Sequence, residues 1–104
     1  MSIEVGRYTF EGPYKMFLTD ELKDRAGVYA IHCYMNKTYD LIDVGETATI
    51  KSRLEQHERK GCWNRKCTGI LTVSVYYTPR LRQVRRILIE QVIRKKYNPP
   101  CGRK

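Results

Sequence analysis

"YDLIDVGETATIKSRLEQH", residues 39–57, changes its periodicity at Gly45. Up to that glycine the residues are apolar and β-rich. After it comes a short polar loop, and from Thr49 to about Lys60 the pattern is helical, with Ile50, Leu54 and His57 on one face and Thr47 or Thr49 as the expected cap. Arg53 and His57 lie one helical turn apart.

Upstream, "GVYAIHCY" pairs naturally with "YDLIDVG" as an antiparallel hairpin across "MNKT". Downstream, "ILTVSVYY" reads as a third strand and "GCWNRKCTG" as a loop or short helical turn anchored by Trp63. A long helix is expected from Leu81 to about Tyr97. Its Val84, Leu88 and Val92 form a stripe expected to be buried, with Ile89 and Ile93 beside it, and "NPPCG" ends it. Before the hairpin, "RYTF" is a short strand stopped by Gly12-Pro13, and "LTDELKDR" a short helix.

The chain has 104 residues, which fits a single domain with one modest core. Its formal net charge of +9 favours polyanions as partners, nucleic acid before an anionic membrane surface. Neither a membrane span nor a signal peptide is apparent, so a cytoplasmic setting is expected. In that setting Cys33, Cys62, Cys67 and Cys101 are expected to be free thiols rather than disulfides. The spacing of His57, Cys62 and Cys67 does not match a zinc site.

"GVY" at 27–29, "DVG" at 43–45, Arg53 on the next helix and Glu90 within "ILIEQVIRKKYNPP" form an ordered set that resembles the GIY-YIG nuclease domain. That resemblance implies an α/β fold of the α+β type: a small three-stranded antiparallel central sheet flanked by helices, with core 27–100 and an N-terminal extension. It also implies a DNA endonuclease that uses Mg²⁺ or Mn²⁺. Tyr29 would help activate the attacking water, Arg53 would stabilise charge on the phosphate, Glu90 would hold the metal and His57 would assist proton transfer. Asp43 stands where the family pattern has tyrosine, and Gly102 where it has asparagine. Strand alternation places Leu41, Asp43 and Gly45 on one face, with Asp43 in the cleft as an added metal ligand or base, or as a carboxylate that repels the phosphate. Lys51, Arg65, Lys66, Arg82 and Arg85 are candidates for a DNA track. The competing readings are an inactive nucleic-acid-binding module of the same fold, and a domain that binds an acidic protein through its basic face.

Overall fold

The computed structural model describes residues 1–16 and 18–102. Five strands, β1 (Ser2–Val5), β2 (Tyr8–Lys15), β3 (Gly27–Met35), β4 (Thr38–Thr47) and β5 (Ile70–Tyr77), form one antiparallel sheet in the order β1-β2-β5-β3-β4. Three helices complete the fold: α1 (Ile50–Glu55), α2 (Lys60–Lys66) and α3 (Gln83–Tyr97). The three expected strands, in the order β5-β3-β4, are therefore one end of a larger sheet, and the segment expected to be an N-terminal extension supplies β1 and β2 at the other end. The strand does not stop at Gly12-Pro13. It passes through them at an irregularity in the β2–β5 ladder, where a proline removes no needed ladder hydrogen bond.

The hairpin follows its sequence. Asn36 and Lys37 both have positive φ (54° and 64°), the two-residue turn whose twist suits the strands on either side. Alternation then breaks at an irregularity where Ile31 pairs Asp43 and His32 pairs Leu41. Ile42 packs with Tyr29, Ile31 and Trp63, whereas Leu41 packs on the opposite face with Val44 and Ile93. Leu41 thus does not share a face with Asp43 as simple alternation implies.

One sheet face is covered by α1, α2 and the 3₁₀ turn Thr19–Glu21, around Tyr29, Ile31, Ile50, Leu54 and Trp63. The expected helix over 18–25 is reduced to that turn. Asp24 beyond it has another use: it accepts Ser52 N–H at 2.9 Å and the Ser52 hydroxyl at 2.7 Å, and so caps α1 from a distant segment. Thr49 makes no side-chain cap. The helix expected through about Lys60 breaks after Glu55, and the Lys60 ammonium bonds to the free Glu55 carbonyl at 2.7 Å.

The other face carries α3 over Val5, Phe10, Val28, Ala30 and Val44. Here the expected stripe is corrected: Val84, Leu88 and Val92 are 60%, 52% and 54% exposed, while Arg86, Ile89 and Ile93 point inward. The reason is Arg86, which is buried through a 3.0 Å ion pair with Glu46 and a 3.0 Å bond to the Leu81 carbonyl. Assigning every arginine to solvent rotates this helix by one position.

The cysteines are also corrected. Cys33 bonds Cys67, and Cys62 bonds Cys101, closing sequence separations of 34 and 39 residues. Loops of that size contribute on the order of 3–4 kcal/mol each through the unfolded chain. The expectation of free thiols followed from the expected cytoplasmic setting, and the two bridges overturn it. The second bridge holds the tail beyond α3 along the outer edge of β4, where Cys101 N–H bonds the Ile42 carbonyl at 2.9 Å and covers an otherwise open strand edge.

The inward line on α3 gives a direct test. Ile93→Ala is expected to destabilise the protein by about 2–4 kcal/mol, and Leu88→Ala by no more than about 0.5 kcal/mol, as measured by urea unfolding.

Candidate active site

Tyr29 and Gly45 are cross-strand partners. The Tyr29 ring lies flat across the glycine: a Cβ at Gly45 would fall 2.2 Å from the Tyr29 hydroxyl oxygen and 2.4 Å from Cζ. Gly45 lies within β4, so it leaves room for the phenol and does not serve as a tight turn.

With α1 ended at Glu55, His57 folds inward and its Nε2 meets the Tyr29 hydroxyl at 2.5 Å. Nδ1 accepts the Arg59 backbone N–H at 3.1 Å. Burial, followed by the charges of Arg53 and Arg59, pushes the His57 pKa down to about 4, so the ring is neutral at neutral pH. A neutral imidazole accepting at Nδ1 carries its proton on Nε2, so His57 donates to the Tyr29 oxygen. The phenol proton is then directed away from His57. Burial raises the Tyr29 pKa to about 12 against the pull of Arg59, so Tyr29 is a phenol at neutral pH.

Asp43 does not line a cleft as an available ligand or base. It is fully buried, and both of its oxygens are engaged. Oδ1 accepts Val44 N–H at 2.8 Å and Arg94 Nη2 at 2.9 Å; Oδ2 accepts Arg59 Nε at 2.7 Å and Trp63 Nε1 at 2.7 Å. Arg94 also donates to the Val44 carbonyl and, at 2.8 Å, to the Cys101 carbonyl. A Cβ at Gly102 would stand 2.9 Å from both Arg94 Nη2 and Asp43 Oδ1, which explains a glycine at that position.

Arg53 and Arg59 lie over the Tyr29–His57 pair. Arg53 makes a two-pronged contact with Glu58 at 2.5 and 2.7 Å, and Arg59 Nη2 is 3.5 Å from the Tyr29 oxygen. Glu90 comes from α3 on the other side of the sheet and is linked to the site through Arg94, which also bonds Asp43. Its neighbour at four-residue spacing, Arg94, stands 3.6 Å away, longer than a hydrogen bond. Arg86, four residues before Glu90, is taken by Glu46. Burial raises the Glu90 pKa, chiefly against the pull of Arg94.

A half-buried, loosely paired carboxylate is a fitting donor for Mg²⁺ or Mn²⁺. Among the described residues no group of three or more His, Cys, Asp or Glu side chains is arranged to hold an ion. An ion at Glu90 would therefore take its other ligands from water and phosphate, as Mg²⁺ commonly does.

The candidate DNA track divides between the two sheet faces. Lys51 on α1 pairs with Asp20 at 3.5 Å, and Arg65 and Lys66 are exposed at the end of α2. Arg82 and Arg85 are exposed at the start of α3, across the sheet. Sequence reasoning passed over Glu58 and Arg59. The run "HERK" announces charge near His57, but no sequence signal assigns Arg59 and Arg94 to a buried aspartate.

The backbone is similar to the GIY-YIG N-terminal endonuclease domain of UvrC from Thermotoga maritima, crystallised as a point mutant bound to its catalytic divalent cation. The TM-score is 0.57 at 17% identity, covering 79% of this chain and 87% of that one. The fold is GIY-YIG-like. No family model matches the chain, and no curated protein sequence does.

Two tests follow from the site's electrostatics. Asp43→Asn leaves Arg59 and Arg94 without their buried counter-charge and is expected to cost about 3–5 kcal/mol in urea unfolding. His57 and His32, both held near pKa 4 mainly by burial, bind fewer protons folded than unfolded between pH 4 and 6.5. Their stabilising effect is complete above pH 6.5 and is lost as the pH falls toward 4. The thermal midpoint is expected to drop across that window, and less steeply in His57→Gln.

Proposed function

We propose that residues 1–104 form one nuclease domain that hydrolyses phosphodiester bonds in DNA with the help of Mg²⁺ or Mn²⁺. The observation that carries this reading is the convergence of a Tyr29–His57 pair, two arginines and a loosely paired Glu90 at one edge of a GIY-YIG-like sheet. Tyr29 holds the attacking water through its hydroxyl, and His57 fixes the direction of that hydroxyl by donating to its oxygen. Arg53 presents a planar fork to the phosphate oxygens as negative charge builds on them. Glu90 anchors the ion, which when bound supplies Lewis-acid polarisation of the phosphate and a water of lowered pKa. Asp43 acts in this scheme by fixing Arg59 and Arg94, not by touching substrate. Lys51, Arg65 and Lys66 extend the cationic surface on the side of the site, and Arg82 and Arg85 contact the backbone only where DNA curves round to α3.

The second reading, a nucleic-acid-binding module without chemistry, is favoured by Arg94, a cation standing 3.6 Å from the proposed metal-binding carboxylate. Among the described residues no helix is long and apolar enough to cross a membrane. The +9 charge supports DNA as partner under either reading.

Plasmid nicking separates the two. The wild type is expected to nick supercoiled plasmid with Mg²⁺ or Mn²⁺ and not with EDTA. Arg53→Ala and Glu90→Gln are each expected to lower the rate at least about 100-fold, in line with the loss of a transition-state charge partner. Duplex binding that weakens steeply with salt, without nicking in either metal, would select the binding module.

A further inference from the structure

The site contains an anion of its own that the proposed chemistry leaves unused. Glu58 stands in the turn between α1 and α2, with its side chain 61% exposed. Its Oε2 lies 2.5 Å from Arg53 Nη1 and its Oε1 2.7 Å from Arg53 Nη2. Oε1 is also 4.0 Å from Arg59 Nη1, and Oε2 is 3.8 Å from His57 Nδ1. Below it lie Tyr29 and His57, 1% and 5% exposed. The arginine forks and a charged group in contact with them therefore cover the phenol.

Arg59 is held firmly in this arrangement. Its Nε is bound to the fully buried Asp43 at 2.7 Å, which directs the two remaining nitrogens toward Glu58 and the Tyr29 hydroxyl. Two carboxylate oxygens gripped by one guanidinium, with a second guanidinium close by, make the same two-pronged contact that arginines make to two oxygens of a phosphate. The Glu58–Arg53 contact is exposed, and such pairs contribute little to stability. A backbone phosphate can therefore displace Glu58 at small cost.

We propose that Arg59 is a second phosphate-binding residue beside Arg53, and that Glu58 occupies in the free protein the position taken by a DNA phosphate in the complex. This rests on the nuclease reading above and goes further by defining where the phosphate sits and what must leave. Glu58 swings toward solvent, and both arginines exchange its carboxylate for the phosphate. Asp43 is then the positioning residue for Arg59.

The test measures binding of a fluorescent duplex of about 20 base pairs at several salt concentrations, in EDTA, with the thermal midpoint of each variant recorded. Glu58→Gln is expected to tighten binding about 3–10-fold. Glu55→Gln removes an exposed acid on α1 that bonds Thr19 rather than an arginine, and is expected to change binding less than about twofold. The Glu58→Gln gain should vanish in an Arg53→Ala background. Arg59→Gln should weaken binding about tenfold and reduce the salt slope by about one counterion, whereas Arg59→Lys should recover only part of the affinity. Equal gains from Glu58→Gln and Glu55→Gln, or a gain that survives Arg53→Ala, would reduce Glu58 to an ordinary rim charge and overturn the proposal. If the wild type binds and nicks DNA but Glu58→Gln and Arg59→Gln behave like it, this inference alone fails. If the wild type binds no duplex at any salt, the nuclease reading fails and takes this one with it.

Discussion

The carboxylate of Asp43 is the point on which the site depends. Four donors meet it: a backbone N–H from its own strand, the indole of Trp63, and guanidinium groups from Arg59 and Arg94. These partners belong to β4, α2, the turn before α2, and α3, so one buried anion joins elements from both faces of the sheet at its outer edge. A buried carboxylate without such partners is prohibitively costly. With them it sets the positions of two arginines far more narrowly than surface side chains are usually held.

Around that anion the β4 edge is closed and the groups of the candidate site are placed. The tail beyond α3 bonds to Ile42 and is tied to α2 by the Cys62–Cys101 bridge, while Arg94 reaches the Val44 carbonyl. Glu90 sits one helical turn before Arg94, which brings α3 to the site even though the helix packs on the far face. Gly45 makes the complementary accommodation on the near face. Because it has no side chain, the Tyr29 ring can cross β4 and meet His57.

The electrostatics follow from this closure. Tyr29 and His57 are both buried, and burial drives each toward its neutral form, the phenol up to about 12 and the imidazole down to about 4. The positive charge remains in the outer layer, on Arg53 and Arg59, where it can meet an anion without first being stripped of all its water. The inner pair is thus fixed by hydrogen bonding and the outer pair by ion pairing. Of these, only the exposed Glu58 contact is readily exchanged.

Local pattern was enough to reveal the hairpin over 27–45, the third strand and the long helix, each from periodicity within a single segment. Tyr29, Arg53, His57 and Glu90 stood out only through an ordered resemblance that runs across several segments. Four other features are pairings between distant segments. The strands of residues 2–15 join the sheet only because β5 offers them an edge. The cysteines pair across 34 and 39 residues, which composition does not resolve. Arg86 turns inward because Glu46, on another element, neutralises it, so α3 presents a different face from the one its apolar stripe suggested. Asp43, conspicuous in the sequence as a departure from a tyrosine, became intelligible only once Arg59, Trp63 and Arg94 were found to converge on it. Period and spacing are properties of one segment and can be read along the chain. The partner of a buried charge is a property of tertiary packing, and only the folded structure decides it.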